Sequence, residues 1–100
     1  MAWKTVQVRT IPNADTPFEK MSDEVINYIK TNYDDTGKRT SFSVSQSADG
    51  LVLTYTSVYS SEATRNEMKN DSTISAEAAR RNKINEDHGI TREMTVDEEI

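Results

Sequence analysis

Cysteine is absent from this 100-residue chain, and histidine and tryptophan occur once each. Without cysteine the chain has no disulfide framework, no thiolate nucleophile and no zinc–thiolate site. Long apolar runs are also absent, and the opening Met1-Ala2-Trp3-Lys4-Thr5 contains no stretch that could act as a signal peptide. We therefore expect an intracellular, cytoplasmic protein that has no membrane partner.

Positive charge and large apolar side chains are also scarce. Twelve Lys and Arg residues stand against seventeen Asp and Glu residues, which gives a net charge of −5. This sign opposes binding to a phosphate backbone, so we do not expect nucleic acid as a partner. Val, Ile, Leu and Phe together supply only 18 of the 100 residues. Such a thin core favours a homodimer, in which a second copy buries part of the apolar surface.

The first predicted element is a strand over residues 3–11, which alternate around Val6 and Val8 and end before a loop at Pro12-Asn13. We expect Val6 and Val8 to face the helices. The opposite row would then form a mixed, partly polar second face together with a row of serines further along the chain; it consists of Trp3, Thr5, Gln7 and Arg9.

A capping-box signal marks the start of the next element. Thr16 is followed by Pro17 and then by Glu19, which predicts a helix with Thr16 as its N-cap. The helix should end near Tyr33, with a turn at residues 34–37. Its apolar stripe recurs at helical spacing and comprises Phe18, Met21, Val25, Ile26 and Ile29.

Residues 39–59 alternate with period two on both sides of Ala48-Asp49-Gly50, which predicts a β-hairpin. A two-residue turn would place Phe42, Val44, Leu53 and Tyr55 on one face. A three-residue loop with a bulge would instead place Phe42 and Val44 with Thr54 and Thr56. The first register makes the better core, although the loop residues suit the second equally well. In either register the serine row lies on one face, as a solvated surface, a polar lining or a dimer contact; it comprises Ser41, Ser43, Ser45 and Ser47.

The last third of the chain predicts an interrupted helix and a fourth strand. Ser60 or Ser61 can cap a helix to about Asn70, and a second segment from about Ser75 should end in a Schellman-like pattern at His88-Gly89-Ile90. The strand that follows should place Ile90, Arg92, Met94 and Val96 on one side. We therefore predict one domain over residues 1–96, followed by a flexible acidic tail at 97–100.

The order strand, helix, strand, strand, helix, strand is that of a ferredoxin-like β-α-β-β-α-β sandwich, in which helices cover one face of a four-stranded antiparallel sheet. Together with the run from Tyr55 through the interrupted helix to Asp87-His88-Gly89-Ile90, this order resembles the dimeric α+β barrel superfamily. The resemblance extends over about residues 3–96. It implies an α+β fold and a homodimer whose sheets pair face to face. Its members include cofactor-free monooxygenases, haem-degrading enzymes and cyclases.

The residues that could carry chemistry are few. His88 is the only imidazole, and its place just before Gly89 suits an interaction with a helix C-terminus better than catalysis. In the haem-degrading branch of the superfamily, a histidine within the second helix acts with Asn and Trp. Asn13 and Trp3 are present here, but the middle of the second helix has no histidine, so we expect no haem. No acidic cluster has the spacing of a calcium loop, so we expect neither a metal nor a cofactor.

Two functions from different classes fit these observations, and the sequence alone does not decide whether the protein is an enzyme. We favour a homodimeric module that binds a protein or a small ligand without catalysis. The alternative is a cofactor-independent monooxygenase or cyclase with an aromatic or polyketide-like substrate between sheet and helices. Its candidate ligand-binding residues are Trp3, Arg9, Asn13, Tyr55 and His88. A third hypothesis is an acidic decoy or inhibitor, for example a viral one, that acts through its charge.

Overall fold

The computed structural model describes residues 1–100 and contains four strands and three α-helices. In chain order the elements are β1 (Trp3–Thr10), α1 (Asp23–Ile29), a π-helical turn (Lys30–Asp34), β2 (Arg39–Gln46), β3 (Val52–Tyr59), α2 (Glu62–Asn70), α3 (Ser72–Asp87) and β4 (Thr91–Glu99). The strands form one antiparallel sheet in the order β2-β3-β1-β4. The predicted α+β class and the four-stranded antiparallel sheet are therefore confirmed.

The pairing of the strands determines how the helical segments connect them. β1 is antiparallel to both β3 and β4, and β3 is antiparallel to β2. It follows that β1 runs parallel to β2, and β3 parallel to β4, each pair being separated by one strand. The chain joins the first pair through α1 and the second through α2 and α3. Side chains of α2 and α3 reach the same side of the sheet, at Asp97, Arg9 and Tyr55. We call it the helix side, and the opposite side the open face.

β1 presents its polar row to the helices. Arg9 is buried on the helix side, whereas Val6 and Val8 are only half-buried on the open face. The prediction that Val6 and Val8 face the helices is therefore wrong. The orientation of these two valines follows from the pairing of β1 with β3. This pairing places Val6 beside Thr56 and Val8 beside Thr54, on the side of the sheet that carries the serine row.

The hairpin adopts the first of the two predicted registers. Val44 pairs with Tyr55 and Phe42 with Ser57, so Phe42, Val44, Leu53 and Tyr55 share the helix side. The connection is a four-residue loop, closed by a hydrogen bond from the Ser47 N–H to the Val52 carbonyl. Gly50 has φ +76°, a left-handed conformation that glycine adopts without strain.

α1 begins later than the capping-box signal predicted. Its N-cap is Ser22, and the Thr16 hydroxyl instead donates a hydrogen bond to the Asn13 side chain in the preceding loop. Two buried side chains of α3 hold the intervening segment in a non-helical conformation. The carboxylate of Glu77 accepts the Ser22 N–H at 2.6 Å, and Asn85 bonds both backbone groups of Glu19. These long-range contacts outweigh the local preference for a helix.

The interruption of the second helical region occurs at Asp71. Asp71 ends α2 and is also the N-cap of α3, where its side chain accepts the N–H groups of Thr73 and Ile74. α3 therefore starts at Ser72 rather than near Ser75. The predicted Schellman pattern is confirmed, because the Ile90 N–H donates to the Asn85 carbonyl and the Gly89 N–H donates to the next carbonyl along.

β4 contains a bulge at Thr95. Val6 pairs with Val96 but Gln7 pairs with Met94, so Thr95 is an extra residue in β4. The bulge turns Val96 to the open face, and the prediction that Val96 shares a side with Met94 is wrong for this reason. β4 then continues through Glu99, so residues 97–99, assigned above to a tail, form the last part of this strand.

The hydrophobic core cluster lies between helices, and two further buried hydrophobic residues, Tyr59 of β3 and Ile90, lie outside it. Its buried members come from α1, the π-helical turn and α3: Val25, Ile29, Tyr33 and Ile74. Only 11 of the 100 residues are buried, and five of these are polar or charged. The helices therefore meet the sheet largely through polar side chains, and the space between the two layers is incompletely filled. None of the helices is both long and apolar enough to cross a bilayer.

Candidate ligand-binding groove

A groove of about 990 Å³ lies between the helix side of the sheet and the helical layer. We call it the sheet–helix groove. Its floor is formed by side chains of the β2–β3 hairpin: Phe42, Val44, Gln46, Leu53, Tyr55 and Ser57. Its opposite wall comes from α1 and from the segment before it: Phe18, Met21, Ile26 and Ile29. Met68 and Met94 also line it. A second groove of about 750 Å³ adjoins it and shares Thr5, Tyr59, Met68 and Met94.

Several large apolar side chains in the groove remain in contact with water. Phe42, Val44 and Ile26 are each 48% exposed, although all three lie between the two layers. Transfer of apolar surface out of water is favourable by about 25 cal/mol per Å². The removal of these side chains from water would therefore favour the binding of a molecule that filled the groove.

Two guanidinium groups lie beside the Tyr55 ring at one end of the groove. The Cζ atoms of Arg9 and Arg81 are 5.7 Å and 5.5 Å from the ring centroid. Arg81 Nη2 donates a hydrogen bond to the Tyr55 hydroxyl at 3.1 Å, and its Nε donates to the Glu19 carbonyl at 3.2 Å. The Phe18 ring lies 5.4 Å from the same guanidinium, so Arg81 links both walls of the groove.

Neither of these arginines has a carboxylate partner. Arg9 is only 5% exposed; its Nη2 donates to the amide oxygen of Asn82, and its Nε has no partner. Desolvation by burial and then the positive charge of Arg81 lower the pKa of Arg9 to about 10. Each of the other arginines forms a salt bridge: Arg39, Arg65, Arg80 and Arg92.

Arg9 and Tyr55, two of the five residues proposed from the sequence, come together. The other three lie apart from the groove. Trp3 Nε1 donates to Asp97 at 2.6 Å, the Asn13 side chain accepts the Asp15 N–H and the Thr16 hydroxyl in a loop, and His88 is the exposed C-cap of α3. Tyr55 is thus the one member of that set that lines the groove.

Sequence analysis missed the role of Arg81. Arg80 and Arg81 are consecutive in the sequence, but the structure separates them. Arg80 pairs with Glu19 and Glu77, whereas Arg81 reaches the sheet. The spacing of Glu77, Arg81 and Asn85 at four-residue intervals does contain the signal, since residues four apart share one face of a helix.

No group of three carboxylate or imidazole side chains is arranged to hold a metal ion. No protein-family model, curated protein or solved structure matches this chain. The groove itself is therefore the main indication of function.

Proposed function

We propose that this protein is a cytoplasmic, non-catalytic module that holds a small, largely apolar ligand in the sheet–helix groove. The observation that carries the proposal is the groove, whose 990 Å³ is at the upper end of the range of about 300–1,000 Å³ typical of ligand sites. Twelve of its 22 lining residues are hydrophobic, and the polar ones include Arg81, which donates a hydrogen bond to Tyr55. That composition is typical of a site that binds by burial and orients by a few polar contacts.

We favour binding over the cofactor-independent oxygenase or cyclase hypothesis. That chemistry would require several of the candidate residues beside one substrate. Tyr55 lines the groove, but Trp3, Asn13 and His88 are engaged elsewhere. The arginines at the Tyr55 end can bind and orient a ligand without any proton transfer.

The binding of a neutral aromatic probe tests this proposal. We expect 1-pyrenebutanol, followed by its fluorescence, to bind with a dissociation constant on the order of 10 µM, at about 0.3 kcal/mol per non-hydrogen atom. Val44→Trp should fill the groove and weaken binding at least about tenfold, because Val44 faces the groove. Asn66→Trp is the control: Asn66 is exposed on α2, lies outside the groove and should leave binding unchanged. Absence of binding to the unmodified protein would refute the proposal.

We also propose the ferredoxin-like arrangement and the homodimer that the resemblance implies. The two parallel strand pairs, each split by one strand, support the first. The open face supports the second, because its half-buried Val6, Val8, Val58 and Val96 form an apolar patch beside the serine row. A standard interface buries about 800 Å² per partner.

Sedimentation at micromolar concentration tests the dimer. We expect twice the chain mass of 11.3 kDa for the unmodified protein. Thr56→Lys, at the centre of the open face, should give a monomer because it buries a charge in the interface. Asn66→Lys on the exposed surface of α2 should not change the mass. A monomeric unmodified protein would contradict the proposal.

A further inference from the structure

We propose that the sheet–helix groove selects ligands with a single carboxylate, which Arg81 binds at the Tyr55 end of the groove, with the buried Arg9 guanidinium beside the same Tyr55 ring. This inference rests on the proposed function and adds the chemical class of the ligand: an amphipathic carboxylic acid with an aromatic or aliphatic body. It is carried by the charges that line the groove and by the hydrogen-bonding groups that the two arginines leave free.

The unpaired charges that line the groove all have the same sign. Six charged side chains line it, and four of them cancel in two ion pairs, Arg39 with Asp34 and Lys30 with Asp35. The remaining two are Arg81 and Lys20, and neither forms a salt bridge. In a chain of net charge −5, the unneutralised charge of this groove is therefore positive.

Arg81 is positioned to bind a ligand and is not saturated by the protein. A guanidinium has five N–H donors, and Arg81 uses two of them, one on the Tyr55 hydroxyl and one on the Glu19 carbonyl. Both acceptors are neutral. These two bonds hold the group in one orientation, and the remaining donors match the planar geometry of a carboxylate.

Arg9 strengthens the attraction of this end of the groove for an anion. Its guanidinium is beside the same Tyr55 ring, is almost fully buried, and keeps one N–H without any partner. The residue opposite it on β4 is another arginine, Arg92, which pairs with Glu86. A buried positive charge without a salt-bridge partner is costly, and an anion at Arg81 offsets part of that cost.

Two fluorescent probes that differ only in the head group test the inference. At pH 7.5 and low salt, we expect the unmodified protein to bind 1-pyrenebutanoate about tenfold tighter than 1-pyrenebutanol. Arg81→Gln should remove this preference, weakening the acid about tenfold and leaving the alcohol unchanged. Lys83→Gln is the matched control, since it removes one positive charge from the same helix at a side chain that is 79% exposed and outside the groove. It should change neither affinity.

The outcomes separate this inference from the proposed function. If the alcohol binds and the acid binds no tighter, the inference is wrong and the proposed function stands. If neither probe binds, both the proposed function and the inference are wrong. If Arg81→Gln keeps the preference for the acid, the assignment to Arg81 is overturned.

The salt dependence of binding to the unmodified protein is a second test of the preference for a carboxylate. It can be measured even if Arg81→Gln does not fold. Between about 20 and 300 mM NaCl, the affinity for the acid should fall several-fold relative to the alcohol, since screening weakens attraction between charges. A ratio of the two affinities that does not change with salt would overturn the inference.

Discussion

Replacing Glu77 by glutamine removes one buried charge from the contact between α3 and the segment that precedes α1. Glu77 is 8% exposed; its carboxylate accepts hydrogen bonds from Arg80 Nε and from the Ser22 N–H, both at 2.6 Å. A hydrogen bond to a charged group contributes about 1.5–3 kcal/mol. Glutamine keeps one acceptor oxygen but presents an NH₂ group to the same donors. We therefore expect Glu77→Gln to lower the free energy of unfolding by about 2 kcal/mol at pH 7.

The same contacts give this loss a defined pH dependence. The hydrogen bonds from Arg80 and from the Ser22 N–H lower the pKa of Glu77 to about 2, from its ordinary value of 4.5. A carboxylate whose pKa is lowered by folding stabilises the protein fully above the higher value, and this stabilisation is lost as pH falls towards the lower one. The difference in stability between the unmodified protein and Glu77→Gln should therefore shrink between pH 4.5 and pH 2.

Urea denaturation followed by circular dichroism at pH 7, 4.5 and 3 measures this difference. Glu93→Gln is the control, because Glu93 is exposed on β4 and has no hydrogen-bond partner on its side chain. It should change the free energy of unfolding by less than about 0.5 kcal/mol. A loss for Glu77→Gln below that value at pH 7, or a loss of equal size at pH 7 and pH 3, would refute the reasoning.

Three further substitutions probe the contacts that shape the groove. Asn85→Ala should lower the free energy of unfolding in urea by about 2–3 kcal/mol, because Asn85 is 1% exposed and binds both backbone groups of Glu19; an unchanged midpoint would contradict this. Arg9→Met should raise the thermal midpoint of the ligand-free protein by an amount equivalent to about 1 kcal/mol, since it removes a buried charge without a carboxylate partner. A lower midpoint would show that Arg9 is better compensated than its contacts indicate. Tyr33→Phe should cost about 1 kcal/mol in the same assay, because the Tyr33 hydroxyl donates to Asp71 at 2.7 Å; no change would mean that this bond contributes nothing.

The features that could be predicted from the sequence depend on neighbours along the chain. The existence of the hairpin follows from the alternation on both sides of Gly50, and the end of α3 follows from Gly89 and Ile90. The hairpin loop has four residues rather than two or three, so its residues alone did not select the register. Local rules are sufficient for the hairpin and for the helix end because the hydrogen bonds that they describe are local.

The features that could not be predicted depend on distant partners. Val6 and Val8 look like core residues beside polar neighbours, yet pairing with β3 determines which side of the sheet they occupy. Thr16 has a good capping sequence, yet Glu77 and Asn85 bind the backbone that a helix would need. Strand pairing in the first case and side chains of α3 in the second decide the outcome, over separations of 46 to 66 residues, and no local pattern contains that information.

The candidate site was anticipated in part. Arg9 and Tyr55 were both among the five candidate residues, and the structure places the Arg9 guanidinium 5.7 Å from the Tyr55 ring centroid. Arg81 was not among those candidates, because its neighbours in the sequence do not distinguish it from Arg80. The distinction depends on which way each side chain leaves α3, and the helical spacing to Glu77 and Asn85 indicates that direction.

The extra residue in β4 determines which side of the sheet the end of that strand presents. If Thr95 paired with Val6 in a regular ladder, Val96 would move beneath the helices and Asp97 would project outwards. Arg65 and Trp3 would then lose the carboxylate that both now bind. Loss of the residue at position 95 would instead remove the bulge and leave Val96 and Asp97 on their present sides, so we expect related chains to tolerate a deletion there.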